Sequence, residues 1–104
     1  MPGFIIAYYV GEQPAMPEDA ADYMERYKAW IVSMGSAVVS PGTPLGRPHC
    51  VSKVGGSEHV TSKRLTGFSI INAEGIESAL EMASLCPHQE IGSVEVSKLI
   101  GSQN

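Results

Sequence analysis

Clustered positive charge is missing from this chain. Seven Lys and Arg stand against eleven Asp and Glu, for a net charge of −4, and Lys63-Arg64 is the only adjacent basic pair. A nucleic-acid binder needs grouped Lys and Arg to displace counterions from phosphates, so that class is excluded. Long apolar runs are missing too. The longest, Phe4 to Val10, falls far short of the ~20 residues of a spanning helix. It has no basic segment before it and no cleavage site after it, so it does not read as a signal peptide. The chain is expected to stay in the cytoplasm, without a membrane partner. Cysteine is scarce: Cys50 and Cys86 lie in no metal-like or redox-like spacing. Both are expected to be thiols in a reducing compartment. His49 and Cys50 are neighbours whose side chains would diverge on a strand, so no metal site is expected. Gly55-Gly56 lacks the context of a phosphate loop, and no cofactor is expected. Internal repeats and low-complexity stretches are absent.

Charged residues make up only 17% of the 104 residues, which leaves little polar material to cover an isolated small domain. A chain of this length forms one domain with a thin core, and a second copy is a common way to enlarge such a core. Residues 1–100 read as that domain and residues 101–104 as a frayed tail.

The run from Gly3 to Val10 is apolar on both sides and rich in β-branched and aromatic residues, which predicts a central strand covered on both faces. After a loop through Pro14, Pro17 opens a helix, with Glu18, Asp19 and Asp22 complementing its dipole. Ala20, Met24, Tyr27, Ile31 and Met34 recur at helical spacing, and Tyr23 and Trp30 widen the stripe. Asp22 and Arg26 pair at i,i+4 on the outer side. Gly35 is the natural stop.

Ala37 to Ser40 reads as a short strand, and Pro41 to Pro48, with three prolines and two glycines, as a loop. His49–Val54 and Ser57–Lys63 flank Gly55-Gly56 as a hairpin. Thr66 to Asn72 is a further strand. Gly75 to Leu85 is an amphipathic helix presenting Ile76, Ala79, Leu80 and Ala83, with Pro87 beyond it. Ser93 to Leu99 alternates cleanly as a closing strand. Without the hairpin the order is βαββαβ, an α+β, ferredoxin-like fold whose two helices cover one face of a four-stranded antiparallel sheet.

Two helices shield one face only. The first strand would carry Tyr8 or Tyr9 on the other face, next to Ser93, Glu95, Ser97 and Leu99 of the last strand. An apolar sheet face in water is unusual for a monomer. A second copy packed sheet to sheet would cover it and enclose a space suited to a small ligand.

An apolar first strand ending in Tyr9-Val-Gly11, Met24-Glu-Arg-Tyr27 leading to Met34-Gly35, the stretch from Ala79 to Pro87 (ALEMASLCP) and Gly92 to Val96 (GSVEV) together resemble the DGPF-type branch of the YCII-related family. The resemblance runs from about Phe4 to Leu99. It implies a dimeric α/β barrel. Where the branch carries its Asp-Gly-Pro-Phe tetrad, Arg64-Leu-Thr-Gly67 precedes Phe68 here, so only the Phe survives. The His and Asp of the acid–base pair proposed for the classical members correspond to Met24 and Cys86, which cannot shuttle protons as that pair would.

Six residues are therefore candidates for a site: Tyr8, Tyr9, His49, His88, Ser93 and Glu95. Glu95 projects between two valines into the expected inter-sheet space, where burial would raise its pKa and suit it to proton transfer. Its structural alternative is an interface contact with Lys98 or Arg47. His49 and His88 follow loops; each is a default acid–base group or simply an exposed histidine. One of Tyr8 and Tyr9 orients a ligand or binds water, whereas Tyr27 and Trp30 belong to the core. Cys86 closes the second helix as a small buried residue. Two functions fit: a binding or accessory module holding a small molecule, which the lost His/Asp pair favours, or a cofactor-independent enzyme of proton transfer, elimination or isomerisation using Glu95 and His49.

Overall fold

A computed structural model describes residues 1–11, 19–49, 51, 53 and 63–101. Four strands, β1 (Gly3–Gly11), β2 (Val38–Pro44), β3 (Lys63–Asn72) and β4 (Ser93–Lys98), form one antiparallel sheet in the order β2-β3-β1-β4. Helices α1 (Ala20–Met34) and α2 (Ile76–Ser84) lie on one face, and short 3-10 turns follow them at Gly35–Ala37 and Pro87–Glu90. The particle is only 19 Å through its thinnest dimension, which accommodates the sheet and one helix layer. This is the ferredoxin-like α+β arrangement that the order of elements implies. The predicted Gly55-Gly56 hairpin and the tail beyond Gly101 lie outside the described residues.

The core forms where β1 meets the helices. Phe4, Ile6, Tyr8 and Val10 alternate onto that face and are buried; Ile71 and Ser69 of β3 join them, with Val94 and Val96 of β4 half-buried alongside. Trp30 from α1, Ala73 after β3, Ala79 and Ala83 from α2, and Cys86 pack into the same core. The Trp30 indole donates to the Met82 carbonyl at 2.8 Å and so ties the two helices together.

Several boundaries and faces differ from the sequence expectation. Helix α1 is described from Ala20 and is capped by Asp19, whose side chain accepts from the Asp22 amide at 3.0 Å; the expected start at Pro17 lies outside the described residues. Its buried face runs through Tyr23, Tyr27, Trp30, Ile31 and Met34, while Ala20 is exposed and Met24 is 47% exposed. The bulk of the three aromatics sets the rotation of the helix and turns Met24 outward. In α2 the small Ala79 and Ala83 pack down, and Ile76 and Leu80 remain about half exposed. Strand β2 extends through Pro44, into the segment expected to be a loop. Its proline-bearing part is accommodated by register shifts on either side of Ser40, at a sheet edge where a missing N–H is tolerated. His49 and Val51, expected in a strand, lie outside regular structure. Gly35, at φ 56°, ends α1 as expected.

Candidate functional site

Residues opposite one another in an antiparallel ladder share a face, so the register fixes what the uncovered face carries. Ala7 pairs with Phe68 and Glu95, Tyr9 with Leu65 and Ser93, and Ile5 with Ile70 and Ser97. Thr43 of β2 stands opposite Phe68. The open face is thus an apolar band on the two central strands, edged by a polar row of Ser93, Glu95 and Ser97 on β4. Ile5, Ala7, Tyr9, Leu65, Phe68 and Ile70 are half-buried, and the β4 row is exposed.

Of the six candidate residues, three meet on this face: Tyr9, Ser93 and Glu95. Tyr8 points the other way and is 5% exposed under the helices. Ser69 has one proton, and it goes to the Pro41 carbonyl at 2.5 Å; the Tyr8 hydroxyl therefore donates to Ser69 Oγ, also at 2.5 Å. Burial pushes the Tyr8 phenol well above its ordinary 10.0. The three strands β1, β3 and β2 are cross-tied by this chain, which makes Tyr8 a structural residue of the core.

His88 is not an exposed loop histidine. It is 6% exposed in the 3-10 turn after α2, and its Nε2 lies 2.8 Å from the Tyr9 carbonyl oxygen. A carbonyl only accepts, so Nε2 carries the proton and donates. That leaves Nδ1 to face the Tyr23 hydroxyl at 3.5 Å. The Tyr8 ring packs beside the imidazole at 5.3 Å between centroids. Burial raises the Tyr23 phenol to about 12 and the Cys86 thiol to about 11. His88 acts from beneath the sheet: it holds the backbone of the residue whose ring stands on the open face.

Gly92 permits that grip. A Cβ there would stand 1.9 Å from the Tyr9 carbonyl oxygen and 3.0 Å from His88 Nε2. Gly92 opens the GSVEV stretch noted in the sequence, but its packing role was not legible there, because the constraint is a contact between segments some eighty residues apart.

His49 is exposed beyond the end of β2. That end lies level with Tyr8 and Val94 across the sheet, through the Pro44–Gly67 and Gly67–Tyr8 pairs. His49 therefore leaves the sheet at the same end as the Tyr9–Ser93 pair. Glu95 sits at mid-sheet.

An open groove of about 570 Å³ lies on the helix side between α1 and the segment after α2, lined among others by Arg26, Trp30, Leu85, Cys86 and Glu90. Arg26 is already engaged there, by Asp22 at 2.8 Å and by both oxygens of Glu90. Those contacts hold the Glu90 carboxyl below its usual range. The groove's charged groups thus satisfy one another. No group of His, Cys, Asp and Glu among the described residues could hold a metal ion.

The described elements define a ferredoxin-like α+β domain with one helix-covered sheet face and one face that none of the described helices covers. No protein-family model matches the chain, and no curated protein matches it in sequence. Among solved structures it is similar to 5-chloro-2-hydroxyhydroquinone dehydrochlorinase from Burkholderia phenoliruptrix, in complex with 2,5-dihydroxybenzoquinone. The similarity has a TM-score of 0.59 at 15% identity over 93% of this chain and 92% of the other. At that identity the likeness is one of fold. No described helix is long and apolar enough to cross a membrane.

Proposed function

We propose that this chain is a YCII-like protein that pairs with a second copy, sheet to sheet, and holds a small molecule in the space between as a non-catalytic or accessory module. The reading is carried by the open face. Six apolar side chains on the two central strands are only half-buried within one chain, and a polar row with a carboxylate flanks them. A second sheet laid over the band would remove apolar surface from water at about 25 cal/mol per Å² and would create a lined space with a few polar groups along one edge. The ligand would meet Tyr9, Ser93 and Glu95. Support comes also from the structural neighbour, a small-molecule enzyme of the same fold.

Sedimentation at high micromolar concentration tests the pairing: the expected particle has twice the 11.1 kDa chain mass, and a single chain at that concentration refutes it. A thermal-shift screen of metabolites tests the ligand, since a compound at 100 times its Kd adds about 2.7 kcal/mol to stability.

The neighbour's name, a dehydrochlorinase, favours a second reading: a cofactor-independent enzyme in which Glu95 moves a proton, with His49 at the end of the sheet as its assistant. Glu95→Gln separates the two readings, because it keeps the side chain's size while removing its basicity. Abolished turnover with ligand affinity retained supports the enzyme; unchanged turnover removes Glu95 from it.

A further inference from the structure

Strand β4 is the last strand of the sheet, and its ladder with β1 fixes which of its backbone groups are already bonded. Phe4 stands opposite Lys98, which sets Gly3 opposite Leu99, and the Leu99 amide donates to the Gly3 carbonyl at 2.9 Å. Bonded and non-bonded partners alternate along an antiparallel pair. Ser97, Glu95 and Ser93 are therefore bonded to β1, while Val94, Val96 and Lys98 turn their N–H and C=O away from the sheet. Among the described residues no strand pairs with that side. The two edges of the sheet differ. Strand β2 carries Pro41 and Pro44 and register shifts on either side of Ser40, devices that blunt an edge. Strand β4 has no proline and runs against β1 without a shift. Apolar surface lies beside it on the helix side. Val94 and Val96 are half-buried, and Ile76 and Leu80 of α2, the helix that packs on β4, are 46% and 49% exposed. Sheet-to-sheet pairing through the open face leaves all four uncovered.

A second copy of this chain fits the edge. Turned antiparallel about a two-fold axis at Val96, β4 meets its copy with Val96 opposite the partner's Val96 and Val94 opposite the partner's Lys98. All three residues belong to the outward set, so each outward N–H of the strand meets an outward C=O. Moving the axis to Glu95 sets Lys98 opposite the partner's Gly92, outside the strand, and brings two carboxylates face to face, which is unfavourable. A strand edge alone buries less than the ~800 Å² that a stable interface covers on each partner. Ile76 and Leu80, carried by α2 toward the same axis, supply the apolar part. We propose that β4 is a second self-association surface, through which two copies continue one sheet across both chains and bury the Ile76–Leu80 flank of α2. The open face stays free for sheet-to-sheet pairing, and the two contacts stand or fall separately.

Sedimentation of the full chain at high micromolar concentration, with amide hydrogen exchange followed residue by residue by NMR, tests the edge. With both surfaces engaged, the expected particle has four times the 11.1 kDa chain mass. The Val94, Val96 and Lys98 amides are expected to exchange slowly and to lose that protection on dilution to single chains. Val96→Pro sits at an edge position where the missing N–H breaks no bond within the chain, and it should weaken the association about tenfold or more. If that variant fails to fold, Leu80→Glu on the exposed flank of α2 should weaken it likewise. Outward amides that exchange fast at every concentration, or that stay slow in single chains, overturn the edge pairing. A particle of twice the chain mass with fast outward amides does so while leaving the sheet-to-sheet reading standing. The same mass with slow, dilution-sensitive amides, reduced to single chains by Leu80→Glu, supports the edge and overturns the open-face pairing. Single chains throughout overturn both.

Discussion

Gly92→Ala puts the packing at the end of β1 to a direct test. The added methyl would stand 1.9 Å from the Tyr9 carbonyl oxygen, whereas a carbon and a carbonyl oxygen rest at about 3.3 Å. The neighbour is backbone in a central strand, so no rotamer change relieves the contact. The start of β4 and the turn before it must move away from β1 by more than 1 Å. That displacement strains the His88–Tyr9 hydrogen bond of 2.8 Å and the Gly92 amide's bond to the His88 carbonyl at 3.0 Å. Overpacking typically costs about 1–3 kcal/mol, and losing a buried hydrogen bond about 1–3 kcal/mol more. We expect a loss of about 3 kcal/mol, which for a domain of this size lowers Tm by roughly 12–24 °C. Calorimetry, with urea unfolding as a check, measures it. The double variant Gly92→Ala/His88→Ala should remain destabilised, because the carbonyl contact persists when the imidazole is gone. A Tm shift below a few degrees would refute the assigned proximity of β1 and the turn before β4.

Ser69→Ala leaves the Tyr8 hydroxyl and the Pro41 carbonyl without their shared partner, and should cost about 2 kcal/mol in urea unfolding. Trp30→Phe deletes the donor to the Met82 carbonyl, and a loss of about 2 kcal/mol by the same assay is expected. Arg26→Met removes an exposed ion-pair network, so any Tm difference from wild type should be small and should vanish in molar salt. The Cys86 thiol, raised by burial from 9.0 to about 11, binds its proton more tightly folded than unfolded. Its contribution is full below pH 9 and is lost as pH climbs to 11, by up to about 2 kcal/mol after allowance for solvent screening. Cys86→Ser should make the curve less steep between pH 9 and 11, leaving the loss due to the buried Tyr8 and Tyr23 phenols; an unchanged curve would show that the thiol titrates normally.

Local pattern alone determined the order of the four described strands and two helices, the Asp22–Arg26 pair and the stop at Gly35. Each of these depends on residues within a few positions of one another, through spacing, capping chemistry or a glycine's freedom. The alternation of β4 likewise placed Val94 and Val96 toward the helices and Ser93 and Glu95 away from them. Strand β1 carried no such phase, because a run apolar at every position reads the same when flipped. Only the pairing of Tyr8 with Gly67 and Val94, and of Tyr9 with Leu65 and Ser93, decided which tyrosine is core and which faces outward. Tertiary packing also chose the rotation of α1, where three aromatics outweighed the Ala20–Met24 phase. It turned His88 from a loop residue into a buried clasp on the Tyr9 backbone.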